Sequence, residues 1–228
     1  MRIRLDERML VQAYRAGIFP MAETRDAGTL SWYDPDPRGI LPLDAFHLPR
    51  RLFRTVRSGV FRVTADTAFD RVIAECAASA AGREESWING TIAALFGSLH
   101  RRPVDGGRAH SVECWIESPA APPVLAGGLY GLQIGSAFFG ESMFSRARDA
   151  SKVALVHLVA RLRLSGVTLL DTQFLTEHLS QFGAVEVSRA DYRTALAAAL
   201  ARHAQFQADP SPPVLADSIA QLAARSRP

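Results

Sequence analysis

The chain has 228 residues, 48% of them hydrophobic, and a formal charge of +3; at ~100 to 200 residues per domain it holds one large domain or two small ones, with core enough to fold unaided. Lys152 is the sole lysine among 26 basic residues, so the positive charge sits almost wholly on guanidinium forks, which suit phosphate better than point charges do. Two cysteines, Cys76 and Cys114, a charged N-terminus and the lack of any apolar run near ~20 residues argue against disulfide scaffolds, secreted chains and membrane spans, and the cytoplasm is the expected compartment.

Asp6 is placed to cap a helix carrying Met9, Leu10 and Tyr14 that ends at Gly17. Gly17-Ile18-Phe19-Pro20 and the run from Trp32 to Pro37 read as a rigid, aromatic-bearing loop. From Arg50 to Arg62 stand five arginines and no acid; on a helix Arg50, Arg54 and Arg57 share one face while Leu48, Leu52 and Val56 share the other. A strand is predicted over 61–64, and helices over 68–78 and 90–99, the second entered through Trp87-Ile88-Asn89. Strand composition with short connections over 111–117, 124–132 and 137–139 predicts an antiparallel meander. A long helix from Asp149 to about Leu164, an apolar strand over 167–171 and an Ala-rich helix over 190–203 follow, and residues 209–213 read as a linker to a last short helix. Strands, then helix, strand and helix, give an α+β fold with a mixed, mainly antiparallel sheet flanked by helices.

Chemistry is expected where apolar strands end in polar residues. Gly140-Glu141-Ser142-Met143-Phe144-Ser145 reads as a polar loop leaving a strand, and Leu169-Leu170-Asp171-Thr172-Gln173 ends a buried strand with Asp171 and Gln173 two positions apart, hence on one face. Each has a plain structural alternative: Asp171 capping the next helix, Glu141 pairing with Arg146 or Arg148. The six histidines share no metal-ligand spacing, and no metal or cofactor is expected. Arg101, Arg102 and Arg108 around Gly106-Gly107 read as a basic loop.

Taken together, seven motifs in register carry a resemblance. They are Tyr14-Arg15-Ala16-Gly17-Ile18-Phe19-Pro20, Trp32-Tyr33-Asp34-Pro35-Asp36-Pro37-Arg38, His110-Ser111-Val112-Glu113-Cys114-Trp115, Gly128-Leu129-Tyr130-Gly131, Gly140 to Ser145, Ala150-Ser151-Lys152 and Leu170-Asp171-Thr172-Gln173. From Arg8 to about Leu196 the chain resembles the leucyl/phenylalanyl-tRNA-protein transferases. The resemblance implies a reduced N-terminal domain (1–38), an acyltransferase domain like that of the acetyltransferase superfamily, GNAT-like (39–206), and a C-terminal tail (207–228). It implies transfer of Leu or Phe, less well Met, from aminoacyl-tRNA to acceptor proteins with N-terminal Arg or Lys, marking them for N-degron degradation.

It also assigns roles. Asp171 and Gln173 match the family's relay pair, with Gln173 an orienter of the attacking amine, and Glu141 is the carboxylate for the acceptor's cationic end. Leu129, Phe138, Met143 and Phe174 are the apolar types a yielding aminoacyl pocket needs. Trp87 matches a tryptophan that stacks on the terminal adenosine, and Arg50, Arg51, Arg54 and Arg57 are the candidates for acceptor-stem phosphates. Met21 stands where the family's Gly-Ile-Phe-Pro-Trp pattern ends in tryptophan, and the upstream Gly-Leu-Leu-Ala-x-Gly-Gly-Asp-Leu segment of many relatives is missing. The rival readings are a coenzyme A-dependent N-acyltransferase, disfavoured by the lack of a glycine-rich turn before the Asp149 helix, and a non-catalytic tRNA-binding protein.

Overall fold

The structure, a computed structural model, describes residues 5–78 and 86–226. Helix α1 (Glu7–Arg15) starts as the sequence requires: the Asp6 carboxylate accepts from the Met9 N–H at 2.8 Å, and Leu10, Val11 and Tyr14 form one buried stripe. Gly17, at φ +83°, turns the chain into a hairpin of β1 (Phe19–Ala22) and β2 (Leu30–Tyr33), where Pro20 lies opposite Trp32. The aromatic run that reads as loop is thus half strand, because its ladder partner is local.

Seven strands make the main sheet, in the order β4 (Arg62–Ala65), β5 (Gly107–Ser118), β6 (Ala121–Ile134), β7 (Ala137–Ser145), β8 (Leu169–Gln173), β3 (Arg38–Ile40) and β9 (Val185–Val187). Neighbours are antiparallel except β7 with β8, which gives the mixed sheet expected. That parallel ladder stops at Phe139 and Asp171, so the strand ends beyond it, from residues 140 and 172 on, are not paired with each other.

Helices cover both faces. On one lie α1, α3 (Phe69–Ala77), α4 (Gly90–Arg101) and α7 (Arg189–Leu200), around a core that includes Tyr14, Phe96, Phe139 and Tyr192. On the other lie α2 (Arg50–Arg57), α5 (Ala150–Leu164) and α8 (Pro212–Arg225), around Leu129, Phe138, Leu155 and Leu170. Helix α5 is buried nearly all round because it packs between the sheet and α2 and α8. Its first turn crosses β6 closely: a Cβ on Gly127 would stand 2.6 Å from the Ala150 Cβ. The short α6 (Glu177–Ser180) follows β8. No helix of the described residues is long and apolar enough to cross a membrane.

One irregularity decides where side chains point. Tyr130 on β6 lies opposite Ser142 and Gly131 opposite Gly140, so Glu141 is an extra residue in β7, a β-bulge. Strand alternation inverts across it: Phe139 belongs to the α1 side and Met143 to the α5 side, although they are four positions apart. Gly131 makes room, since a Cβ there would stand 2.3 Å from the Phe139 carbonyl oxygen. Residues 140–145 are therefore bulged strand and not the loop their polarity suggests.

Candidate active site

The bulge turns Glu141 toward α1 and the end of β8. Tyr14 donates its hydroxyl hydrogen to Glu141 Oε1 at 2.8 Å, and Gln173 Nε2 donates to the same oxygen at 3.1 Å. The Gln173 backbone N–H in turn donates to Asp171 Oδ1 at 2.8 Å. Glu141, Asp171 and Gln173 thus come together as the motifs led one to expect, but not by simple alternation. Gln173, the last residue of β8, has φ +65°, a left-handed conformation rare outside glycine, and the ladder with β3 shifts register between Asp171 and Gln173.

Asp171 is wholly buried and held from several sides. Arg38, 1% exposed, donates from Nε to Oδ1 at 3.0 Å and from Nη2 to Oδ2 at 2.6 Å, and Tyr192 donates its hydroxyl to Oδ2 at 2.7 Å. The guanidinium also reaches the Gly17 carbonyl at 2.9 Å and lies 4.7 Å from the Phe19 ring centroid and 4.4 Å from that of Tyr192. Neither plain alternative holds: Arg146 pairs with Glu75 at 2.6 Å, and Thr176, not Asp171, caps α6.

Burial dominates the electrostatics. It pushes the Glu141 carboxyl up to about 8, helped by the Asp171 charge and opposed by the Tyr14 and Gln173 hydrogen bonds and the Arg38 charge. Burial likewise lifts the Tyr14 and Tyr192 hydroxyls well above their ordinary range. For Arg38 burial works downward, but the hydrogen bonds and charge of Asp171 outweigh it and hold the guanidinium above its usual value.

Beside this network opens a cavity of about 290 Å³. Leu129, Met143, Leu155, Leu158, Leu170 and Phe174 supply most of its apolar lining, with Trp87 and Met21 also on the wall. Phe138, expected in the pocket, is elsewhere: fully buried on the α5 face, with its ring 6.2 Å from Phe206. Its place as an apolar lining group is filled by leucines of α5 and β8. Three buried polar atoms on the wall lack a hydrogen-bond partner among the described residues: Tyr130 Oη, Glu141 Oε2 and Thr172 Oγ1. Groups this expensive to leave unpaired mark a place where something else binds.

Arg50, Arg51, Arg54 and Arg57 all lie exposed on α2, and none of them forms an ion pair among the described residues. The helix packs through Leu52 into the same core as Leu155 and Leu158 of α5, which line the cavity. Among the described residues no three His, Cys, Asp or Glu side chains stand together as a metal site needs.

Sequence comparison meets the same architecture. Residues 40–197 match the family model described as "Leucyl/phenylalanyl-tRNA protein transferase", and residues 4–36 match the model of its N-terminal domain. A leucyl/phenylalanyl-tRNA–protein transferase of Caulobacter vibrioides is 58% identical over 197 residues, 86% of this chain and 87% of that one. Its counterpart in Maricaulis maris is 57% identical over 201 residues, 88% and 89% of the two chains. That of Phenylobacterium zucineum is 52% identical over 218 residues, 96% and 95%. The chain belongs to the leucyl/phenylalanyl-tRNA protein transferase family.

Proposed function

We propose that this chain transfers Leu or Phe, and less well Met, from aminoacyl-tRNA to the N-terminal Arg or Lys of acceptor proteins in the cytoplasm, marking them for N-degron degradation. The observation that carries this reading is the apolar cavity whose lining residues include Tyr130, Glu141 and Thr172, with Oη, Oε2 and Oγ1 lacking partners among the described residues, beside the Glu141–Gln173–Asp171 network. An apolar aminoacyl side chain fits such a lining, and Met143 gives it some adaptability. Trp87 stacks on the terminal adenosine in this reading, and the unpaired arginines of α2 receive the acceptor-stem phosphates.

The reaction needs a neutral amine at the ester carbonyl. A C–N bond forms, the ester C–O bond breaks, and the amine proton ends on the departing ribose oxygen. Ester to amide is downhill, so position, a proton path and charge stabilisation are what the protein supplies. Glu141 binds the acceptor's cationic end through Oε2, which has no partner among the described residues, and on binding gives up the proton that burial holds on it. Gln173 is held by its backbone bond to Asp171 and orients the amine with its side chain. Arg38 and Tyr192 keep the Asp171 carboxylate fixed.

We assign residues 1–38 to an N-terminal domain, 39–206 to an acyltransferase domain on the acetyltransferase-superfamily scaffold and 207–228 to a tail; the helix-flanked sheet with its single parallel pair supports that scaffold. A coenzyme A-dependent reading finds little support, because the Arg146 and Ala147 N–H groups just before α5 both donate to the Ala126 carbonyl. The test is to incubate purified protein with labelled Leu-tRNA and a peptide starting with Arg, adding no metal or nucleotide. Label on the peptide is expected. Binding of tRNA without transfer would leave a non-catalytic tRNA-binding protein.

A further inference from the structure

A second cavity, of about 520 Å³, lies at the other end of the sheet, around the β6–β7 turn at Gly135. The four steps along β7 from Ala137 to Glu141 span ~13 Å, so it is separate from the site above. Its walls carry Arg15, Arg108 and Arg202, and none of the three has a carboxylate partner among the described residues. Arg15 donates from Nη2 to the Asp105 carbonyl at 2.9 Å, while its Nε is buried and unpartnered. Three arginines on one wall, none with an ion pair among the described residues, call for an anion.

Gln133 adds a second, independent requirement. It is 6% exposed, and its Nε2 donates to both the Gly135 carbonyl at 3.1 Å and the Ala204 carbonyl at 2.8 Å. Only an NH₂ can serve two carbonyls, so the amide orientation is fixed. Its Oε1 is then left on the wall as an acceptor with no donor among the described residues. The occupant must bring a hydroxyl or amino hydrogen as well as negative charge.

Among the described residues the wall carries no tryptophan or tyrosine. Phe206 lines the cavity, but its ring stands 4.3 Å from that of His110 and 6.2 Å from that of Phe138. Base stacking, the usual source of nucleobase affinity on a protein surface, has no indole or phenol platform there. We propose that this cavity binds a ribose phosphate without regard to base, the phosphate on the three arginines and a sugar hydroxyl on Gln133 Oε1. An RNA strand and a free nucleotide share that chemistry.

The test is equilibrium titration of the full chain with ribose 5-phosphate, with inorganic phosphate at matched ionic strength, and with uncharged tRNA; no step uses the transfer reaction, so its outcome is separate from that of the proposed function. Saturable ribose 5-phosphate binding, tighter than phosphate, is expected. Arg108→Ala with Arg202→Ala, both exposed side chains, should weaken it about tenfold or more, and Gln133→Leu should erase the preference over phosphate. If the double variant also lowers the salt slope of tRNA binding by about 2, the natural source is an RNA strand; if tRNA binding is unchanged while ribose 5-phosphate is lost, the source is a free nucleotide. Absence of saturable ribose 5-phosphate binding by the unaltered chain, or unchanged binding by the double variant with its melting temperature intact, overturns the proposal.

Discussion

Replacing Glu141 with Gln isolates the electrostatics of the site without any substrate. Folding lifts this carboxyl from 4.5 to about 8, chiefly by burial. Between those pH values the folded chain keeps a proton that the unfolded chain has lost, so stability is whole below 4.5 and falls as pH rises through about 8. At 1.36 kcal/mol for each tenfold change in proton affinity the ceiling is ~5 kcal/mol, and an interior that responds to charge brings it to ~2 to 3 kcal/mol. For a domain of this size that corresponds to ~4 to 12 °C in Tm. Glu141→Gln keeps the shape, and its Oε1 can still accept from Tyr14, but the titration is gone. Urea melts of both proteins in acidic and in mildly alkaline buffer should show the natural chain losing ~2 to 3 kcal/mol more than the variant as pH rises. Parallel pH dependences would refute the assignment of a buried, proton-holding carboxyl at this position.

Arg38→Met leaves the buried Asp171 carboxylate without its cation and should cost ~3 to 5 kcal/mol in urea melts; a loss below ~1 kcal/mol would show that the pair is not structural. Gln173→Ala should lower turnover far more than tRNA affinity, because the side chain touches Glu141 and not the arginine helix; equal losses in single-turnover transfer and in filter binding would assign it to binding. Arg54→Ala with Arg57→Ala should weaken tRNA binding and reduce its salt slope by about 2, with turnover at saturating tRNA little changed; an unchanged slope would make α2 an ordinary solvated face.

Glu141, Asp171 and Gln173 could be picked from sequence because each interrupts or ends an apolar strand, a local signal. Their partners could not. Tyr14 is 127 positions from Glu141, and Arg38 133 from Asp171; a lone arginine after Pro37 carries no mark of being the most buried cation among the described residues. Tyr192 sits in an Ala-rich helix where its aromatic ring looks like ordinary core. Helices were readable from caps and periodicity, as Asp6 with Leu10 and Tyr14 shows, whereas short strands such as β3 and β9 depend wholly on distant pairing. Phe138 was misplaced for a related reason. Its ring packs by Gly131 and Phe206 although its ladder partner Leu170 lines the cavity, which residue type does not reveal, and the pocket leucines of α5 lie in a helix apolar on nearly every side, so no periodicity singles them out.

The extra residue in β7 adds one side chain, Glu141, to the α1 side while leaving Phe139 and Met143 on the faces that unbulged strands would give them. Deleting Glu141 would restore plain alternation with Met143 still opposite Leu129 on the α5 side, so the loss would fall on the contacts to Tyr14 and Gln173 and not on the pocket lining. Libraries aimed at changing which amino acid is carried can therefore vary Met143 on the pocket wall while Glu141 and its bulge stay as they are.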